Sequence, residues 1–530
     1  MAENRLGIDS VVYHALVATC REMALSITRV ARSSLIRDVE DFSTAILDRD
    51  GRMVAQAETI PIHLNSLEVA LQSCLLVYPR ETWGPSDVVF NNDPYSGGQH
   101  LPDLIVFRAI HGESGEILGF VGCIAHQNDL GGGLGSLNPH ATDLHEEGLI
   151  IPPVMVDTSG DWLSGAFGRV LVANSRTPAA VSGDVQTQVT ATAGAVQRIR
   201  ALARRYGPAT VTGVMAATLE SSERDMRAVL AALPDGEHSG VDYLDDDGKG
   251  SGPLRIAATV RLHADQLTID FSGTAPQAPS FVNSTYAATV SAAHTAVKAF
   301  LGESRLRANA GTFRPVQVII PPGSLLNPDY PAPVRARVNA ACRAYNAVLR
   351  ALNGVDPERA SASGFDSVTC VNLGHCDEHG RFRILVDPLR GGFGATAFSD
   401  GESALSQIMS NAKNTPVEIV ESDMPFLRIV RYEIARGSGG AGRQSGGNGV
   451  LREYQALCDG VNVTFHTGRQ VVTSWGWGGG ADGAVARLRV DHGDGWRELA
   501  VAGDAVTLNE GDVLEVTTGG GGGFGAPDES

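Results

Sequence analysis

Glycine placement limits this chain more than any other feature. The 530 residues include 62 glycines, densest in "GSGGAGRQSGGNG" (437–449) and "GGGGGFGAP" (519–527). A residue without Cβ takes backbone shapes closed to the others, so the two runs read as tight structural turns and not as a disordered linker. Both have the flexibility to wrap an anion. Neither leads into Lys-Ser/Thr, and no G-x-x-x-x-G-K-[ST] occurs, which excludes a Walker-type phosphate loop. An apolar fraction of 43% supplies a buried interior. A chain this long outgrows one compact core, and the expected lobes are 1–245, 246–365 and a Gly-rich, β-rich 366–530.

The net charge of −18 comes without a Lys/Arg cluster, so nucleic acid and anionic membrane surfaces are not expected partners. Seven scattered cysteines contain no C-x-x-C, which suits reduced, mostly buried thiols in a cytoplasmic protein. "MAENRLGIDS" lacks the basic and apolar regions of a signal peptide. No apolar run approaches the ~18 residues of a membrane span.

Periodicity predicts an α+β fold of mixed sheets with helical layers. Val12, Leu16, Cys20, Met23, Ile27 and Val30 recur at helical steps across 9–36, with Asp9 or Ser10 as cap. A β-hairpin is expected over 43–57 around Asp50-Gly51, and a helix over 64–78. Strands follow through 86–126, helices through 178–232, a turn-rich boundary at 242–253, and further helices at 286–301 and 333–353.

"NNDPYSGGQHLPDLIVF" (91–107) gathers Asn91, Asn92, Asp93, Tyr95, His100 and Asp103 just before an apolar strand. The segments 104–110 and 117–126 flank the turn "HGESGE" (111–116). Antiparallel partners across it should sum to about 227, give or take a residue or two. That sets His126 opposite Leu101, within reach of His100 and Asp103. Two imidazoles and a carboxylate suit zinc, manganese or iron. The same residues also suit a strand cap and a satisfied core histidine, and spacing alone leaves both open. Glu146-Glu147 offers a possible base or a solvated acidic pair, and "GHCDEH" (374–379) reads as a surface turn.

In order along nearly the whole chain, "NNDPYSGGQHLPD", "AHQNDLGG", "EEGLIIPP", "DFSGTAPQ", "NTPVEIVES", "GSGGAGRQSGGNG" and "GGGGGFGAP" resemble the hydantoinase B/oxoprolinase family. The resemblance implies a cyclic amidohydrolase that opens a hydantoin, 5-oxoproline or related lactam. A hydantoinase A-type partner binds ATP and phosphorylates the amide oxygen, the two forming an α2β2 heterotetramer. It places the divalent metal on His100, Asp103 and His126, with Asp41 of "EDFSTAI" as a fourth ligand. Asp129 or Glu147 would serve as base, and Asn92 and Asp93 would orient the ligand loop. A component of the acetone or acetophenone carboxylase type is the alternative within the family; a non-catalytic scaffold with a structural metal is the alternative outside it. The chain departs from the family pattern at Gln444-Ser445, where Arg is usual, and at "HLNS" (63–66), where His-Leu-Gly is frequent. Neither departure is expected to touch the ligands.

Overall fold

The computed structural model describes residues 2–57, 59–63 and 65–527. The first helix, Ala2–Val30, starts earlier than the cap signals at Asp9 and Ser10 indicate. Val12, Leu16, Cys20, Met23 and Ile27 form its buried stripe. It stops short of residue 36 because the Asp184 carboxylate takes the backbone N–H groups of Arg32 and Ser33. Ser33 then caps a new short helix, Ser34–Arg37.

The site rests on a six-stranded antiparallel sheet: β1 (Phe42–Asp48), β2 (Met53–Gln56), β3 (Asp87–Asn91), β4 (Asp103–His111), β5 (Ile117–His126) and β6 (Val154–Asp157). The strand order is β2-β1-β5-β4-β3-β6. β1, β4 and β5 are buried along almost their whole length. They lie between the first helix and Pro178–Tyr206 on one face and Ser66–Val77 on the other. In the β4–β5 hairpin Asp103 pairs with His126 and Phe107 with Gly122, and a register shift lies between Ile110 and His111. The pairing sums to 228 at His111–Ile117, one beyond the expected value, and the irregularity adds one more, giving 229 along the rest of the hairpin. His126 therefore faces Asp103 and not Leu101. β5 also pairs β1, with Ala125 opposite Phe42.

Predicted helices appear at Ser66–Val77, Pro178–Tyr206, Pro208–Leu230, Tyr286–Leu301 and Arg337–Leu352. The last is buried on every side except at Arg350, the pattern of a helix running through a core. It packs on the strands Gly236–Leu244 and Leu254–His263, which belong to a second, four-stranded sheet. The turn-rich stretch at 242–253 is strand as far as Leu244 and turns only after it. Two further sheets, of four and five strands, occupy 369–517.

Apart from a turn at Arg436–Gly437, the glycine runs do not form the expected turns. Residues 519–525 form an extended thread surrounded by residues 391–395, 438–447 and 474–484. Successive N–H groups go to different neighbours: Gly520 to Ala484 O, Gly521 to Gly447 O, Gly522 to Ser363 O and Gly523 to Ala481 O. A Cβ on Gly520 would stand 1.9 Å from Ser438 O, and one on Gly521 would stand 1.9 Å from Phe393 O. Backbone packs directly on backbone here, so the absent side chain is a packing requirement rather than a conformational one.

Two glycine substitutions should therefore act in opposite directions. Gly521→Ala must push backbone apart and is expected to destabilise by about 3 kcal/mol or more. Gly213→Ala, at an exposed mid-helix position with nothing within 4 Å of its Cβ, is expected to stabilise by about 0.5–1 kcal/mol. Unfolding midpoints in urea test the pair. A tolerated Gly521→Ala would remove the backbone-packing account.

Candidate metal centre

The loop before β4 is held by side chains. The buried Asn92 amide donates to Leu101 O (2.6 Å) and Leu149 O (2.9 Å), while its oxygen accepts Ile151 N–H (2.6 Å). Asp93 accepts from Tyr95 N–H (3.0 Å) and Ser96 Oγ (2.7 Å), closing the turn that follows. His100 and Asp103 are joined by the Asp103 N–H to His100 O bond (2.9 Å), and His126 N–H donates to Asp41 O (3.1 Å). The starts of β1 and β4 and the end of β5 thus bring Asp41, His100, Asp103 and His126 to one end of the sheet.

Three donor atoms there form a near-equilateral triangle. His100 Nε2 lies 3.1 Å from His126 Nδ1 and 3.2 Å from Asp103 Oδ1, and His126 Nδ1 lies 3.3 Å from Asp103 Oδ1. Ligands bound at ~2.0–2.2 Å make donor edges of roughly 3.0–3.6 Å, so the triangle has the size of one face of a metal polyhedron. Asp103 Oδ1 is buried without a hydrogen-bond partner, an arrangement that costs free energy unless something else meets the charge. The donor set suits a borderline divalent ion. Asp41 Oδ2 stands farther off, 3.7 Å from His126 Nδ1.

The surrounding charges polarise these groups. Arg337 Nη2 donates to Asp103 Oδ2 (2.5 Å), leaving Oδ1 to the triangle. Burial works against the Asp103 charge, but the Arg337 guanidinium beside it outweighs burial and holds its pKa well below the usual carboxylate range. Burial, and then Arg337, hold the His100 pKa well below the imidazole range, so this ring is neutral. His100 Nδ1 lies 3.0 Å from Arg335 O and 2.9 and 3.1 Å from Nη1 of Arg337 and Arg335, which hold the ring with Nε2 turned into the triangle. Burial lowers Arg337 to about 10 against the pull of Asp103, and Arg335 falls for the same reason.

The centre opens on a pocket of about 60 Å³ lined by His63, Arg335, Arg337, Gln407 and His466 among others. Of these five, only His63 lies in a stretch singled out in the sequence, and there for a departure at Asn65. His63 Nε2 lies 3.7 Å from Asp103 Oδ2, whereas Asn65, where the stretch departs from the family pattern, contacts Ser291 and His294 (Leu64 lies outside the described residues). His63 Nδ1 is 3.1 Å from Ser43 Oγ. His466 is buried with Nδ1 unpartnered, and burial, then Arg335 and Arg337, hold it well below the imidazole range.

The two expected bases have other work. Both oxygens of Asp129 are taken by Arg176, at 2.6 Å to Nη2 and 3.0 Å to Nε, and neither faces the pocket. Glu147 accepts the backbone N–H groups of Val334 (3.1 Å) and Arg335 (2.8 Å) from a fully buried position. It fixes the segment that carries Arg335 and Arg337. In "GHCDEH", His375 contacts Cys458 and His379 is exposed beside Glu378. Among the described residues, His100, Asp103 and His126 form the group of His, Cys and acidic side chains close enough to share an ion.

An α+β fold with a buried His-Asp-His donor face at one end of a sheet defines the class. Within it, the chain belongs to the hydantoinase B/oxoprolinase family, whose model matches residues 9–527. It is 31% identical to the beta chain of the Pseudomonas jessenii caprolactamase, over 98% of this chain and 90% of that one. It is 30% identical to the B chain of a putative D-/L-hydantoinase of Pseudomonas sp. (strain NS671), over 91% of this chain and 83% of that one. The crystal structure of the ATP-dependent caprolactamase from Pseudomonas jessenii superposes with a TM-score of 0.91 at 29% identity, covering 98% of this chain and 90% of that one. A nucleotide-free acetone carboxylase structure shares the fold at a TM-score of 0.89 and 18% identity, covering 98% of this chain and 75% of that one.

Burial raises the Glu147 pKa from 4.5 to about 8, the two backbone N–H groups offsetting part of the shift. A folded-state pKa above the unfolded one gives stability that is complete below pH ~4.5 and lost as pH rises toward ~8, about 5 kcal/mol at most. Glu147→Gln should remove this slope at a constant cost of about 1–3 kcal/mol, because its NH₂ would face an N–H donor. Urea unfolding at pH 5 and pH 8 reads the difference. Parallel pH profiles for the two proteins would contradict it.

Proposed function

We propose that this chain is the metal-dependent half of an ATP-dependent cyclic amidohydrolase. It opens a hydantoin, 5-oxoproline or related lactam after an ATP-binding, hydantoinase A-type partner has phosphorylated the amide oxygen. The observation that carries this reading is the His100–Asp103–His126 triangle at a pocket lined by two guanidinium groups. Both relatives are named as one component of a larger enzyme, which supports a partner chain, and an α2β2 assembly suits the pairing.

Amide resonance makes an unstrained cyclic amide a poor electrophile, and phosphorylation converts its oxygen into a leaving group. A zinc, manganese or iron ion held by His100, Asp103 and His126, with Asp41 beside them, would supply Lewis acidity and lower the pKa of a water from 15.7 toward about 7. The chain's own residues do the rest. Arg337 holds Asp103 in one orientation, and the Arg335 carbonyl fixes the His100 ring. Arg335 and Arg337 also set two positive charges on the wall, which favours an anionic phosphorylated substrate. Ile60, Ile62, Val338, Val386 and Ala412 line the pocket with apolar surface, and low polarity strengthens every charge interaction inside.

Two measurements test the reading. Elemental analysis of the purified chain is expected to find about one divalent transition metal per chain, mostly lost in His100→Ala and His126→Ala with the fold kept; full occupancy in both variants would overturn the assignment. Lactam opening is expected only with this chain, the partner and ATP together, and without incorporation of labelled bicarbonate. Substantial turnover by the isolated chain would break the division of labour, and label in the product would move the chain to the carboxylase branch.

A further inference from the structure

The wall of the metal pocket carries a donor that the protein leaves unused. Gln407 lines the pocket and is 3% exposed. Its Oε1 accepts Met409 N–H (2.6 Å) and lies 3.3 Å from Cys342 Sγ. A backbone N–H can only donate, so the amide cannot turn over and its NH₂ is the group left free. Nε2 is buried and, among the described residues, has no acceptor. A buried polar group without a partner is costly and calls for an explanation. In the wall of a ligand pocket, the missing acceptor is the ligand.

Its anchorage separates this donor from the cations. Cys342 stands five residues beyond Arg337, about 7.5 Å along the same helix, and helical side chains lean back toward the helix start. Val338, one turn before Cys342, lines the pocket with Ile60 and Ile62, and Ile62 N–H is bonded to Met409 O (2.9 Å). The Gln407 amide is thus held among the apolar lining. Arg335 and Arg337 stand instead against His100 of the triangle. An anion and a neutral acceptor on one ligand would be met by different elements.

Phosphorylating the oxygen of a lactam inverts its ring nitrogen. In the lactam that nitrogen carries a proton and its lone pair is delocalised into the carbonyl, so it donates. In the phosphorylated ring the bond to carbon is C=N, the proton is gone, and an in-plane lone pair accepts. We infer that Gln407 Nε2 donates to this nitrogen and is a specificity-determining residue of the reaction. The unactivated lactam would set N–H against N–H, and so would the opened product, whose nitrogen again carries protons. Gln407 thereby favours the activated ring over both the species before it and the species after it. The inference rests on the amidohydrolase reading for the chemistry of the ring.

Calorimetric titration of the purified full chain with two probes tests this, in mildly alkaline buffer. Pyridin-2-ylmethylphosphonate offers an unprotonated ring nitrogen beside a phosphonate, which stands for the phosphate. Benzylphosphonate has the same shape without the acceptor. The first is expected to bind about 10-fold more tightly, the span of one hydrogen bond. Gln407→Met removes the donor and should bring the ratio of the two affinities close to one. Gln407→Glu keeps an oxygen for Met409 N–H but offers the ring no N–H, so it too should lose the preference, whereas a purely structural glutamine would be rescued by it. Unfolding midpoints confirm that the variants are folded. A wild-type ratio near one, no binding of either probe, or a preference kept in Gln407→Met, as chelation of a bound ion would give, overturns the inference. Failure of the functional reading looks different: the probes separate as expected, yet the chain with its partner and ATP opens no lactam. Conversely, lactam opening at the wild-type rate in Gln407→Met overturns the role of Gln407 and leaves the function standing.

Discussion

The contact between Asp103 and Arg337 holds the rest of the structure in place. A carboxylate with no exposed surface costs several kcal/mol unless its charge is met inside the protein, and here it is met from 234 residues away. Asp103 is the first residue of β4 and Arg337 the first of the buried helix Arg337–Leu352. The end of the sheet and the start of the helix are therefore fixed against each other. Glu147 grips the same segment from the other side through the N–H groups of Val334 and Arg335. The donor triangle is the remainder of this lock, since the pairing leaves one Asp103 oxygen unused beside two histidines.

The same device recurs deeper in the molecule. Arg469 pairs with Asp242 at 2.7 Å, and both are buried. Asp245 accepts the N–H groups of Gln470 and Val472, and Arg343 donates to the carbonyls of Asp366 and Tyr243. Each contact ties the second sheet or the central helix to the segments around residues 366 and 470. Apolar packing is tolerant of small slips, whereas a buried ion pair is unstable out of register. These pairs accordingly fix how the layers meet.

Much of this is legible in the residues. The hairpin ends that deliver His100, Asp103 and His126 follow from alternation and a turn; of the two-residue error, one comes from the centre of the turn and one from an irregularity between Ile110 and His111 that no local signal marks. Asp41 rests on family resemblance alone in the sequence; the physical reason for its position is that β1 pairs with β5. His63, Arg335, Arg337 and His466 escape a sequence reading because each comes from a turn or element end remote in the chain. "VRARVNAAC" (334–342) does hold a clue, two arginines within an apolar stretch, since buried cations need partners. The partners of Asp129 and Glu147, Arg176 and the Val334 and Arg335 N–H groups, are not legible because they lie far off in the chain. The glycine runs read as turns because conformational freedom is glycine's commoner use.

The glycine bundle also constrains the order of assembly. Its central thread, 519–525, follows in sequence every segment that surrounds it, from Ser363 through residues 391–395, 438–447 and 474–484. Those segments meet the thread largely through backbone, with Ala395 and Trp477 packed on Phe524 as an apolar exception. Until the thread arrives, their peptide groups face an unfilled core and must be hydrated, so local nucleation has little to gain there. Contacts this distant in sequence form slowly because loop closure precedes any reward. The bundle can close only once residues 519–525 are in place, and a chain waiting for them displays unpaired backbone of the kind that recruits other strands.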